Sequence, residues 1–152
     1  MSREQILKAI PHREPFLLLD RLVSLGDSYV VCEKTFTGEE LFFAGHYPDY
    51  PVVPGVMLCE AALQAGAILL SRHLPGDGQK IPVVTRIYDV RFRRMVRPGQ
   101  TIRVEVELNE RLADAFYLLG QVKVDGQVAA RLEFACTQTD KQQPDRLTQP
   151  CQ

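Results

Sequence analysis

The chain has 152 residues, 45% of them hydrophobic, with 18 Lys+Arg against 19 Asp+Glu. That is one ordinary domain with enough apolar side chains for a core, and its balanced charge points to neither nucleic acid nor an anionic membrane. The N-terminus, MSREQILKAIPHRE, has no apolar run of signal-peptide type, and Cys32, Cys59, Cys136 and Cys151 lie far apart with no C-x-x-C pair and no His at metal spacing, so a reduced, cytoplasmic protein without a metal site is expected.

Ser2 and Gln5 fit a capping box for a short helix that should stop at about Ala9, ahead of Pro11. Phe16 to Leu25 and Tyr29 to Thr37 are apolar and β-branched enough for two strands, with Gly26-Asp27 as their hairpin turn. A long loop from Gly38 to Pro54 follows, stiffened near its end by Pro48, Pro51 and Pro54. Pro54-Gly55 then leads into about sixteen residues that are apolar almost all round, from Val56 to Leu70. Such a helix is normally buried. At about 1.5 Å per residue it spans roughly 24 Å, and with Glu60 and Gln64 interrupting it, it falls short of a membrane span.

His73 to Lys80 contains Pro75, Gly76 and Gly78 and reads as a loop. Ile81 to about Val96 is β-rich, and Pro82 confines its start to a sheet edge or strand end. Arg97-Pro98-Gly99-Gln100 suits a type II turn. Ile102 to Leu108 alternates with charged residues; strands near Phe116–Val124 and Val128–Cys136 flank a type I′ turn at Asp125-Gly126. One strongly apolar helix and about six hairpin-connected strands predict an α+β fold, an antiparallel sheet curled around the helix. The domain should occupy residues 1–137; residues 138–152, with five Gln and two Pro, read as a polar, disordered tail.

A few polar residues do not suit a pure core. Glu60 lies mid-helix among apolar neighbours, where burial would favour its protonated form. Gln64, one turn on, could orient that carboxyl group. A thin solvent-facing seam, or an arginine partner for Glu60, accounts for the pattern equally well. His46 sits in the proline-rich loop and could exchange protons near neutral pH; His12 and His73 have no such setting and read as surface residues. The first amides of the long helix, at Gly55, could hold a developing oxyanion. Arg86, Arg91, Arg93, Arg94 and Arg97 against one acid, Asp89, make a locally basic stretch, either a solvated strand edge or a docking patch for an acidic partner.

Three blocks resemble the β-hydroxyacyl-acyl-carrier-protein dehydratases of bacterial type II fatty-acid synthesis, which have the hot-dog fold. They are IPHREPFLLLDR from Ile10, GHYPDYPVVPG from Gly45 running on to Glu60-Ala-Ala-Leu-Gln64, and Asp89-Val-Arg-Phe-Arg-Arg94 with Val96-Arg-Pro-Gly99. The resemblance puts the family's histidine on His46, its acid on Glu60, its oxyanion-binding amide on Gly55 and its helix glutamine on Gln64. It implies dehydration of a β-hydroxyacyl thioester borne by acyl carrier protein, with no cofactor and with an acyl tunnel between the helix and the inner sheet face. The carrier is expected to dock near Arg91, Arg93, Arg94 and Arg97. A homodimer in which His46 of one chain faces Glu60 of the other is implied; hexamers built from three dimers also occur among such proteins. Asp49 stands where the family usually has Gly, Met95 where it tends to have Pro, and Gln100 where it tends to have Asp. The alternatives are a hot-dog thioesterase and a non-catalytic acyl-carrier-binding homologue.

Overall fold

The computed structural model describes residues 2–142. Helix α1 covers Arg3–Ala9, and Gln5 Oε1 accepts from the Ser2 amide at 3.1 Å as the capping box requires. Strands β1 (Arg21–Leu25) and β2 (Tyr29–Thr35) form the expected hairpin, with Gly26 N donating to Tyr29 O at 2.9 Å. The strand expected from Phe16 begins only at Arg21. Residues 16–18 instead spend their backbone groups on a helix side chain: Gln64 accepts from Leu18 N at 2.8 Å and donates to Phe16 O at 2.9 Å. A buried amide that satisfies both a donor and an acceptor competes directly with a strand ladder.

The expected loop from Gly38 to Pro54 contains one turn of helix, α2 (Leu41–Gly45), whose Phe43 is buried edge-on to Phe36. Five residues are too few for helical periodicity to be read. The long helix, α3 (Gly55–Ser71), buries ten of its seventeen residues. Strands β3 (Lys80–Phe92), β4 (Thr101–Leu112), β5 (Ala115–Val124) and β6 (Gln127–Asp140) complete a six-stranded antiparallel sheet in the order β1-β2-β4-β5-β6-β3. This is the hot-dog arrangement, with α3 against the sheet's inner face. Pro82 lies on β3, an edge strand, where its missing N–H costs no inner ladder bond. Asp125 (φ 52°) and Gly126 (φ 75°) make the left-handed pair that a type I′ turn needs.

On β4, Ile102, Val104 and Val106 are fully buried under α3. Each such side chain contributes about 1.5–3 kcal/mol relative to exposure. Two glycines let the helix come close. A Cβ on Gly66 would stand 2.8 Å from the Phe134 ring, and one on Gly120 would stand 3.1 Å from Ala62 Cβ. Helix and sheet are therefore in direct contact at these two points. Strand β6 also runs further than expected: Gln138, Thr139 and Asp140 pair with Pro82, Ile81 and Lys80, three residues that the sequence assigned to the tail. The remainder of that tail, from 143, lies outside the described residues. Among the described residues no helix is long and apolar enough to cross a membrane.

Candidate active site

Residues 46–54 form an arch from α2 to α3. Tyr50 N donates to Tyr47 O at 3.0 Å, and Val53 N donates to Val96 O at 2.7 Å, which pins the arch to the β3–β4 connection. Entry to α2 is fixed by Glu40, which accepts from Thr37 N and Gly38 N, both at 2.9 Å. Burial works against that carboxylate, but the amides at Thr37, Glu40 and Gly38 and the Lys34 ammonium outweigh it and hold the group below its ordinary pKa. Asp49 takes no left-handed φ, so the arch does not need a glycine there. Gln100 closes the turn after β3 by accepting from Arg97 N at 2.8 Å, a role for which its amide oxygen suffices.

His46 is partly buried in the arch with Nδ1 3.2 Å from Val52 O. A carbonyl oxygen only accepts, so Nδ1 carries the proton in that contact. The neutral ring then has its lone pair on Nε2, the arrangement of a general base. Tyr47 covers the ring edge at 4.5 Å between centroids.

Glu60 projects from the second turn of α3 with its side chain 21% exposed, and no arginine pairs with it among the described residues. Gln64, fully buried, donates through Nε2 to Glu60 Oε1 at 3.1 Å while holding residues 16–18. His12, expected on the surface, is brought beside the same carboxyl group, with Nε2 3.9 Å from Oε1. The sequence carried one hint of this: His12 lies between Pro11 and Pro15 in a stiffened segment, as His46 does among its prolines. His73 does not approach the site; it donates through Nε2 to Asp27 O at 2.7 Å. His46 and Glu60 make no hydrogen bond or ion pair with each other within the chain.

Gly55 opens α3, and the Phe92 ring packs against it. Beside the first turn lies an apolar cavity of about 300 Å³ lined by Pro15, Phe16, Leu18, Leu41, Phe42 and Met57. It sits between the strap of residues 15–18, α2 and α3. Cys59 is buried next to Glu60, and burial pushes its thiol pKa up; Cys32 and Cys136 are pushed up to about 12 for the same reason. All three are core thiols. No group of three or more His, Cys, Asp or Glu able to hold a metal occurs among the described residues.

The basic stretch divides. Arg91 pairs with Asp89 at 3.1 Å, Arg97 stacks on and hydrogen-bonds Tyr50, and Arg86 lies over Tyr88. Arg93 and Arg94 are exposed and engage no acid among the described residues.

Residues 10–133 match the family model of the FabA-like domain. The chain is 38% identical over 139 residues to a 3-hydroxyacyl-[acyl-carrier-protein] dehydratase FabZ of Solibacter usitatus, covering 91% of this chain and 86% of that one. It is 43% identical to the FabZ of Clostridium perfringens (88% and 96% covered) and 44% identical to that of Caulobacter vibrioides (86% and 84%). Among solved structures, the dehydratase heterocomplex ApeI:P of Xenorhabdus doucetiae superposes with a TM-score of 0.75 at 18% identity, covering 90% of this chain and 91% of that one. At that identity the likeness shows the fold alone.

Proposed function

The chain belongs to the FabA-like family, and on that premise we propose how its residues remove water from a β-hydroxyacyl thioester carried on acyl carrier protein, the dehydration step of fatty-acid biosynthesis. His46 Nε2 takes the α-proton. The electron pair left behind moves onto the thioester oxygen, which the Gly55 amide stabilises at the positive end of α3. As the pair returns to form the Cα=Cβ bond, the C–O bond to the β-hydroxyl breaks. That oxygen takes the proton of Glu60 and leaves as water. Positioned acid–base groups contribute roughly 10²–10⁴-fold and one oxyanion donor about 10²–10³-fold. The reaction needs no redox cofactor.

One observation carries this reading: among the described residues Val52 O takes His46 Nδ1 and leaves Nε2 free, while the polar contacts of Glu60, with Gln64 and His12, both fall on Oε1 and leave Oε2 free. The acyl chain enters the apolar cavity beside Met57, one turn before Glu60. The carrier docks through Arg93 and Arg94.

The site is completed by a second copy. Strand β3 is a thirteen-residue sheet edge with Ile87, Val90 and Phe92 exposed, and such edges are normally paired or covered. Phe92 reaches from that edge onto Gly55, so pairing along β3 brings the two chains together at the α3 N-terminus. In the dimer His46 works with Glu60 of the partner subunit, and three dimers can assemble further. A reducing, cytoplasmic compartment suits the free Cys32, Cys59 and Cys136 thiols.

The test is one assay with two readouts, enoyl absorbance and free thiol, on a β-hydroxyacyl thioester. Enoyl product that disappears in His46→Ala and in Glu60→Gln supports the reading. Thiol release without enoyl would make the protein a thioesterase, and neither signal would make it a carrier-binding protein.

A further inference from the structure

Gln64 is not alone at the acid. His12 Nε2 stands 3.9 Å from Glu60 Oε1, the same oxygen to which Gln64 donates. The place of the ring is built rather than incidental. The Arg13 guanidinium donates to Leu7 O, Ile10 O and His12 O at 2.8, 2.8 and 2.7 Å and so fixes the turn that presents it. The ring stacks with Phe16 at 6.3 Å and 20°, and the Phe16 carbonyl is in turn held by Gln64. One buried amide therefore organises both the acid and the strap that brings His12 to it.

His12 Nδ1 is buried and has no hydrogen-bond partner among the described residues. A proton there would be an orphaned buried donor, which folded proteins avoid more strictly than an unpaired acceptor. The proton of the neutral ring then belongs on Nε2, the nitrogen that faces Glu60.

We propose that His12 is a positioning residue for Glu60: its Nε2–H joins the Gln64 amide on Oε1 and so reserves Oε2 for the proton that the acid delivers. This rests on the reading of Glu60 as the acid. A carboxylic O–H cannot point at two N–H donors, so with both donors on Oε1 the acid carries its proton on Oε2. The 3.9 Å gap exceeds a hydrogen bond, and catalytic contacts of this kind shorten when substrate fills the site.

The experiment separates a donor from a packing ring. His12→Phe keeps an aromatic ring against Phe16 and removes the N–H, whereas His12→Gln discards the ring and restores an N–H of similar reach. His12→Phe should lower kcat about tenfold, a fraction of the acid's contribution, with KM changed less than about twofold. His12→Gln should recover most of that loss. In the unmodified protein, ¹⁵N shifts of the His12 ring should read Nε2 protonated and Nδ1 bare. A Phe variant as active as the Gln variant, or a protonated Nδ1 beside a bare Nε2, overturns the proposal. If neither variant folds, the ring shifts decide it alone. A wild-type protein that forms no enoyl product, or a Glu60→Gln variant that still forms it, with the ring shifts as expected, would instead sink the reading of Glu60 as the acid.

Discussion

The Phe92 ring rests on Gly55 so closely that a Cβ on the glycine would stand 2.8 Å from Phe92 Cε1. The residue that starts the long helix is thereby tied to the exposed edge strand of the sheet. Gly55→Ala should push the ring or the helix start aside, at a cost of about 1–3 kcal/mol for overpacking. Displacing the amide as well should reduce kcat by up to about 10²–10³-fold. Phe92→Ala in the same chain should relieve the stability part, so a double-mutant cycle on unfolding should be non-additive by about 0.5–3 kcal/mol. Additive effects would mean that the two residues do not press on each other in solution.

Gln64 should matter to stability as much as to catalysis. Its amide satisfies Leu18 N and Phe16 O as well as Glu60. Gln64→Ala leaves those strap groups without a partner, at about 1–3 kcal/mol for each group that stays buried. The variant should unfold at lower denaturant than wild type, with activity reduced less than in Glu60→Gln, because in the proposed mechanism Gln64 orients the acid and transfers no proton. Wild-type stability in this variant would show that the strap is not held by the amide.

Much of this was legible because it rests on local rules. The capping box, the Asp125-Gly126 turn, the alternation from Ile102 and the apolar run of α3 each depend on a few neighbouring residues, and each is found. The first hairpin is found too, but it turns at Asp27-Ser28, one residue later than expected, because Gly26 pairs with Tyr29. What escaped depends on long-range partners. Phe16 to Asp20 has strand composition, but Gln64, nearly fifty residues on, takes its backbone groups. His12 looks like a surface residue until the strap lays it beside Glu60. Helix α2 is too short for a period.

Carrier docking should separate by arginine. Asp89 occupies Arg91, and Tyr50 occupies Arg97, so Arg93 and Arg94 offer the field that an acidic partner meets first. Reversing both to Glu should raise KM for carrier-bound substrate at least about tenfold and scarcely change turnover of a small-molecule thioester, with added salt imitating the reversal on wild type. Equal effects on the two substrates would count against docking there. Arg91→Ala should be milder on the carrier-bound substrate than Arg94→Ala.

Assembly gives the sharpest test, because His46 and Glu60 make no hydrogen bond or ion pair with each other within one chain, and each has its own support, Val52 O and Gln64. If each site takes His46 from one subunit and Glu60 from the other, His46→Ala and Glu60→Gln proteins are each inactive alone yet complementary. Subunit exchange between them generates heterodimers in which one of the two sites has both groups intact. With random mixing half the dimers are of this kind, so about a quarter of wild-type activity should return. The β3 edge supplies the control: charge placed at Ile87 or Val90, both exposed on that strand, should block exchange and recovery together. Heterodimers confirmed by mass but without recovered turnover would show that each chain builds its own site.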